Sequence, residues 1–315
     1  MITRLMKDNG TPLKLTAWLM MLFLGILPVK AQTDSFVKTD SALVQLQHQF
    51  KQAMQLLDNE DTTKASPVWP NIDARLFYAN LRKNLLHPEK INQGKATNFC
   101  GYAAITHILI KYRPLVFTKA ILALYHTGQA SFPDKTLQPS ERIRQAVGTL
   151  KRKGELDVLH ADQLWFLTLA EEFKGYVNIF DHKYKPGDEN AIWAATNFSK
   201  FNRMLRVLGG FKTKSAGSDL LRPFKSNFYD YITSQLQAGV VLMYINSKYL
   251  HPSKYTLFKL RAPTHFIVLY EMYKIDDMIE IKYWDYGLKT EQLITKKRLR
   301  KLIFGVTTIT EKNYE

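Results

Sequence analysis

Thr264-His265-Phe266-Ile267-Val268-Leu269-Tyr270-Glu271-Met272-Tyr273 is an aromatic and β-branched run; Met278-Ile279-Glu280-Ile281-Lys282-Tyr283-Trp284 follows after a short gap. The first composition suits a strand. In the second, Ile279, Ile281 and Tyr283 alternate with Glu280 and Lys282, the period of a half-buried strand. Asp276-Asp277 supplies a turn, so 264–273 and 278–284 are predicted to form a hairpin. Upstream, Tyr229–Gln237 is a helix candidate ending at Gly239, and Val240–Ile245 is an apolar strand. Earlier still the pattern is helical: 99–112, closed by Arg113-Pro114, since a residue before proline avoids helix; then 118–126, 141–152 and 161–173, the last with Asp162 as a possible cap. Helices first and antiparallel strands later is the order of an α+β fold.

The chain of 315 residues carries 44 Lys+Arg against 28 Asp+Glu, a formal charge of +16, with a single Cys. One cysteine excludes an intrachain disulfide framework and multi-cysteine zinc sites. At the N-terminus Arg4, Lys7 and Lys14 precede an uncharged apolar run, Leu15–Pro28, and then Val29-Lys30-Ala31. This has the form of a signal peptide cut after Ala31; the run falls short of the roughly 20 residues that span a bilayer. Removing 1–31 takes away four basic and one acidic side chain, leaving +13. The expectation is an exported, periplasmic or secreted protein without a stable membrane span, its basic charge suited to an anionic envelope surface as partner. No specific nucleic-acid motif is present. Residues 32–70 read as a helix over 41–58, with Leu43, Leu46, Phe50, Met54 and Leu57 on one face, and a linker over 59–70. The main domain is expected over 71–315.

The lone Cys100 lies in Asn92-Gln93-Gly94-Lys95-Ala96-Thr97-Asn98-Phe99-Cys100-Gly101-Tyr102-Ala103-Ala104. If a helix begins there, its dipole and free N–H groups favour the thiolate. Thr97 or Asn98 would cap that helix, and the small residues at 101, 103 and 104 would admit a closely packed neighbour. The plainer alternative is a buried, inert cysteine, though export gives a free thiol little reason to persist. A nucleophilic thiol needs a base. His107, seven residues on, shares a helix face but lies about 10 Å away. His265, at the mouth of a strand, is the better placed of the eight histidines. Asp285 ends the next strand; in a hairpin symmetric about residue 275 it returns beside His265, where it would orient the imidazole. An oxyanion needs donors: the Cys100 N–H, and a side-chain amide from Gln93, preferred over Asn98.

A glutamine loop, Cys-Gly-x-Ala-Ala opening a helix, a late His-Phe-Ile-Val strand and an Asp ending the following strand resemble the papain-like cysteine peptidases. The look is nearest to the bacteriocin-leader peptidase group, over roughly 85–295. The resemblance implies a helical first half with the catalytic cysteine at a helix N-terminus and an antiparallel sheet in the second half. It also implies Cys100 as nucleophile, His265 as general base and acid, Asp285 as orienter and Gln93 as oxyanion donor, with no cofactor. The Gln–Cys spacing of seven is one longer than the pattern, and Tyr286-Gly287 stands where proline often follows the acid. The 165 residues from Cys100 to His265 imply an extra helical insertion, about 125–230. Substrates would be peptides, proteins or peptidoglycan peptides. A non-catalytic binding module on the same scaffold, a transglutaminase-like acyl transferase, and an inhibitory cover formed by the leading helix remain alternatives. Trp165, Trp193 and Trp284 are expected in the core, and Gly209–Gly217 reads as a flexible basic loop.

Overall fold

The computed structural model describes residues 40–94, 97–150, 159–173, 184–191, 194–250 and 263–311. The signal-peptide assignment and Trp193 lie outside them. Nine α-helices and a six-stranded antiparallel sheet are present among the described residues, a mixed α+β fold. The helices are α1 (Asp40–Asp58), α2 (Ala74–Leu86), α3 (Cys100–Tyr112), α4 (Pro114–Thr127), α5 (Glu141–Ala146), α6 (His160–Glu172), α7 (Phe198–Gly209), α8 (Phe228–Ala238) and α9 (Lys296–Leu302). The strands are β1 (Ala130–Phe132) and β2 (Lys135–Leu137), a separate hairpin, then β3 (Lys212–Gly217), β4 (Val240–Ile245), β5 (His265–Ile275), β6 (Met278–Asp285), β7 (Leu288–Thr295) and β8 (Ile303–Thr310). The sheet order is β3-β8-β4-β5-β6-β7.

Helix α3 is buried on every side except at Lys111, which suits a central helix rather than a surface one. It stops at Arg113 because Pro114 cannot continue it, and that proline opens α4 at the position it tolerates best. Helix α4 ends on Gly128 in the left-handed conformation, where a Cβ would strike Val68. Gly101 lets α3 settle on its neighbours: a Cβ there would lie 2.2 Å from Thr196 Cγ2 and 3.3 Å from Phe266. Behind it Phe201, Phe266 and Tyr244 stack at 4.0 and 4.2 Å between centroids. Truncating such a ring costs about 3–5 kcal/mol, so this stack fixes α7, and through Gly101 the start of α3, to the sheet.

The sheet buries both faces. Val240, Leu242, Tyr244, Phe266, Val268 and Trp284 belong to the core shared with α3 and α7. Val241, Met243, Ile245, Ile267, Leu269 and Ile281 belong to a second core, with α8 and α9. This explains why β4 is an unbroken apolar run rather than an alternating one.

Several local expectations are corrected. Lys212–Gly217 is no loop: it is β3, an edge strand paired along its length with β8. Its basic side chains suit a strand with an open edge. Asp162 does not cap α6; Asn80 of α2 does so, its Oδ1 accepting from the N–H groups of Ala161 and Asp162. The stretch expected as a helical insertion holds α5, α6 and α7 together with the β1–β2 hairpin and β3. Leu137, Ile143, Trp165 and Phe201 from it sit in the common core. Helix α1 packs mainly on α4 and α2.

Candidate active site

Cys100 is the first residue of α3, preceded by Phe99 as N-cap without a capping side chain. Neither expected cap is used. Thr97 Oγ1 donates to the Gln93 carbonyl at 2.7 Å. Asn98 Nδ2 donates to the carbonyls of Asn190 and Ala191 at 2.7 and 2.8 Å, and its backbone N–H donates to the Glu189 carbonyl. Asn98 therefore fastens 184–191 to the loop before Cys100, and both its amide hydrogens are spent. Gln93 Nε2 donates to the Thr97 carbonyl at 3.0 Å, which leaves its second N–H for another acceptor. Of the two candidate amides, only Gln93 keeps a donor.

His265 and Asp285 are both buried, at 3% and 2% exposure, and Cys100 is at 8%. His265 Nε2 donates to Asp285 Oδ1. That bond fixes the ring, and Cys100 stands close enough to the imidazole to act on its charge. The thiol also lies 3.9 Å from the Thr264 carbonyl. Burial by itself drives His265 toward the neutral form. The hydrogen bonds to Asp285 and Cys100, with the charges of both partners, outweigh it and push the imidazole up to about 10. The imidazole thus holds a proton readily at neutral pH when a negative sulfur stands beside it.

The meeting of His265 and Asp285 does not come from a symmetric hairpin about residue 275. The turn is Asp276-Asp277, between Ile275 and Met278. From that end the pairing runs through Glu271 with Lys282; at Tyr270 it slips by one residue, so Leu269 faces Tyr283 and Val268 faces Trp284. Continued by one step, Asp285 stands opposite Ile267, diagonal to His265 and on the same face. Without the bulge it would stand opposite Val268, on the other face. The bulged Tyr270 is held in place by its hydroxyl, which donates to His107 Nε2 at 3.0 Å. His107 in turn donates from Nδ1 to the Pro88 carbonyl and stacks on Trp284 at 4.7 Å. His107 is therefore a structural residue that braces the hairpin.

Sequence reasoning missed the part played by Tyr286. Asp285 pairs with Leu288, so Tyr286-Gly287 is a two-residue turn with φ of 47° and 78°, the type I′ pattern. An aromatic residue is unfavourable there. Its ring lies flat on His265, 4.3 Å between centroids, and Asn92 Nδ2 donates to its carbonyl at 2.5 Å. Gly287 meets the Ile91 and Lys90 carbonyls so closely that a Cβ would touch both. The glycine after the acid was the readable signal for the turn; the stacking on His265 was not.

Among the described residues, no group of three or more His, Cys, Asp or Glu is placed to hold a metal ion, and no helix is long and apolar enough to cross a membrane. No family model matches the chain, and no curated protein matches it significantly.

Proposed function

We propose that this chain is a cysteine hydrolase of papain-like architecture, acting on peptide or amide bonds. The observation that carries the reading is one buried imidazole hydrogen-bonded to Asp285 through Nε2, with Cys100 beside it at the start of a helix. The Cys100 proton moves to His265, and the sulfur bonds to the substrate carbonyl carbon. The resulting oxyanion is met by the Cys100 N–H and by the second Nε2 hydrogen of Gln93. As the intermediate collapses, the C–N bond breaks and His265 gives its proton to the leaving amine. A water molecule, deprotonated by His265, then replaces the sulfur and releases the acid. Asp285 holds the imidazole oriented throughout.

The segment 1–31 supports export, and the net basic charge supports a substrate in an anionic envelope, with peptidoglycan peptides first and proteins second. The test is turnover of peptidoglycan, casein and a glutamine peptide with and without an amine acceptor. The Cys100→Ala variant is expected to lose all turnover and keep the wild-type melting temperature. Undiminished turnover in that variant would overturn the reading, and product formed only with the amine would make the chain an acyl transferase.

A further inference from the structure

The segment joining β3 to α8 exposes three apolar side chains: Leu220 at 85%, Leu221 at 73% and Phe224 fully. A tight turn holds the leucines outward. Ser218 Oγ accepts from the N–H groups of both, and the Ser218 N–H donates to the Leu221 carbonyl. Water-exposed leucines on a hydrogen-bonded turn are costly unless something apolar receives them.

Beside them lies an open cavity of about 580 Å³. Among the described residues, Arg222, Lys225, Lys297, Arg300 and Lys301 line it, and no carboxylate does. The acids nearest in sequence are engaged: Asp219 accepts from the Phe198 N–H and Asp230 from Asn227. Arg222 is fixed over the Phe304 ring at 4.2 Å and donates to the Lys301 carbonyl at 3.1 Å, which ties the exposed loop to α9. A protruding apolar tip and a cationic floor thus form one rigid unit, separate from the residues around Cys100.

We infer that this unit docks the protein on an anionic lipid bilayer, with Leu220, Leu221 and Phe224 entering the acyl boundary and the α9 cations on the headgroup phosphates. A soluble polyanion would satisfy the cations but give the three apolar side chains nothing to enter. A neutral apolar partner would do the reverse. Only a surface with both characters fits both halves of the site.

Because Cys100 is the chain's one cysteine, the full chain carrying Cys100→Ala and Phe224→Cys takes a single environment-sensitive nitrobenzoxadiazole label at the tip. A second protein, Cys100→Ala with Ser131→Cys, carries it on the β1–β2 hairpin. Vesicles of phosphatidylcholine with and without phosphatidylglycerol are the probe. The label at 224 is expected to brighten several-fold and shift to the blue on anionic vesicles only, while the label at 131 stays unchanged. Adding Lys297→Glu, Arg300→Glu and Lys301→Glu is expected to weaken binding about a hundredfold or more. No brightening at 224 when the protein sediments with the vesicles would mean that another segment makes the contact, and would overturn the inference. An equal response to polyphosphate, or to vesicles without anionic lipid, would overturn it as well.

Discussion

Removing the Asp285 carboxylate is the sharpest test of the His265 geometry. In Asp285→Ala, His265 loses the acceptor of its Nε2–H, the first of the two hydrogen bonds that oppose its burial. The imidazole then keeps Cys100 as a partner but remains only 3% exposed, and the desolvation that disfavours its protonated form is less opposed. The rise from 6.5 to about 10 corresponds to roughly 5 kcal/mol, at about 1.4 kcal/mol for each pH unit. Asp285 and Cys100 supply this jointly. Losing even half of it, about 1.75 pH units, brings the imidazole down to roughly 8 and cuts the ratio of the thiolate–imidazolium pair to the neutral pair about 50-fold. The assay is the second-order rate of Cys100 alkylation by iodoacetamide between pH 5 and 10. Asp285→Ala is expected to react about 50-fold or more slowly than wild type near neutral pH, in line with the lost pair. Because Asp285 is buried, its removal also costs stability. Asp285→Asn, which preserves volume, keeps the measurement interpretable, and thermal melts identify the pH range in which each variant is folded. Superimposable rate profiles for wild type and both folded variants would refute the reasoning.

Three other outcomes follow from particular contacts. Gly101→Ala places a methyl 2.2 Å from Thr196 Cγ2, an overpacking expected to cost about 1–3 kcal/mol in urea denaturation and to slow Cys100 alkylation; an unchanged midpoint would show that Thr196 gives way freely. Tyr286→Asn replaces an aromatic residue at φ 47° by one that tolerates the left-handed region. Its melting temperature should hold while turnover falls about tenfold with the lost stacking on His265, and equal turnover would make that ring incidental. Burial raises Asp162 to about 6, partly offset by the amides of Asn84 and Asn80. The folded state therefore holds this proton more tightly than the unfolded chain: its stabilising contribution is complete below about pH 4 and is lost as pH rises through 6, roughly 3 kcal/mol in all. Asp162→Asn should flatten that part of the stability profile between pH 4 and 7.5, and a profile identical to wild type would place the pH dependence elsewhere.

Most of the elements around the site were legible because each depends on local chemistry. The helix starting at Cys100 and stopping before Pro114, the strand at Val240–Ile245 and the hairpin at Asp276-Asp277 all follow from periodicity and breakers. What was not legible depends on contacts distant in sequence. The capping of α6 by Asn80 joins residues 81 and 82 apart and has no signature in either segment. Lys212–Gly217 has the composition of a loop and becomes a strand only because β8 offers it an edge. Helix α2 and strands β7 and β8 likewise escaped the reading.

The pairing of His265 with Asp285 shows how a correct expectation can rest on an incomplete reason. Counting back from a turn brings the two residues near each other, but nearness is not enough in a sheet, where a slip of one residue sends every later side chain to the opposite face. With the turn where it stands, an uninterrupted ladder would set Asp285 opposite Val268 and turn His265 to the other face of the sheet. The extra residue at Tyr270 reverses that parity, and nothing in the run from Ile267 to Met272 marks it as a bulge. Its fixing point lies on another element: the Tyr270 hydroxyl reaches His107, seven residues beyond Cys100 on α3. The helix that begins with the thiol therefore also sets the register that delivers the carboxylate. Thiol, imidazole and carboxylate are bound into one geometry by a histidine that takes no part in the proposed chemistry.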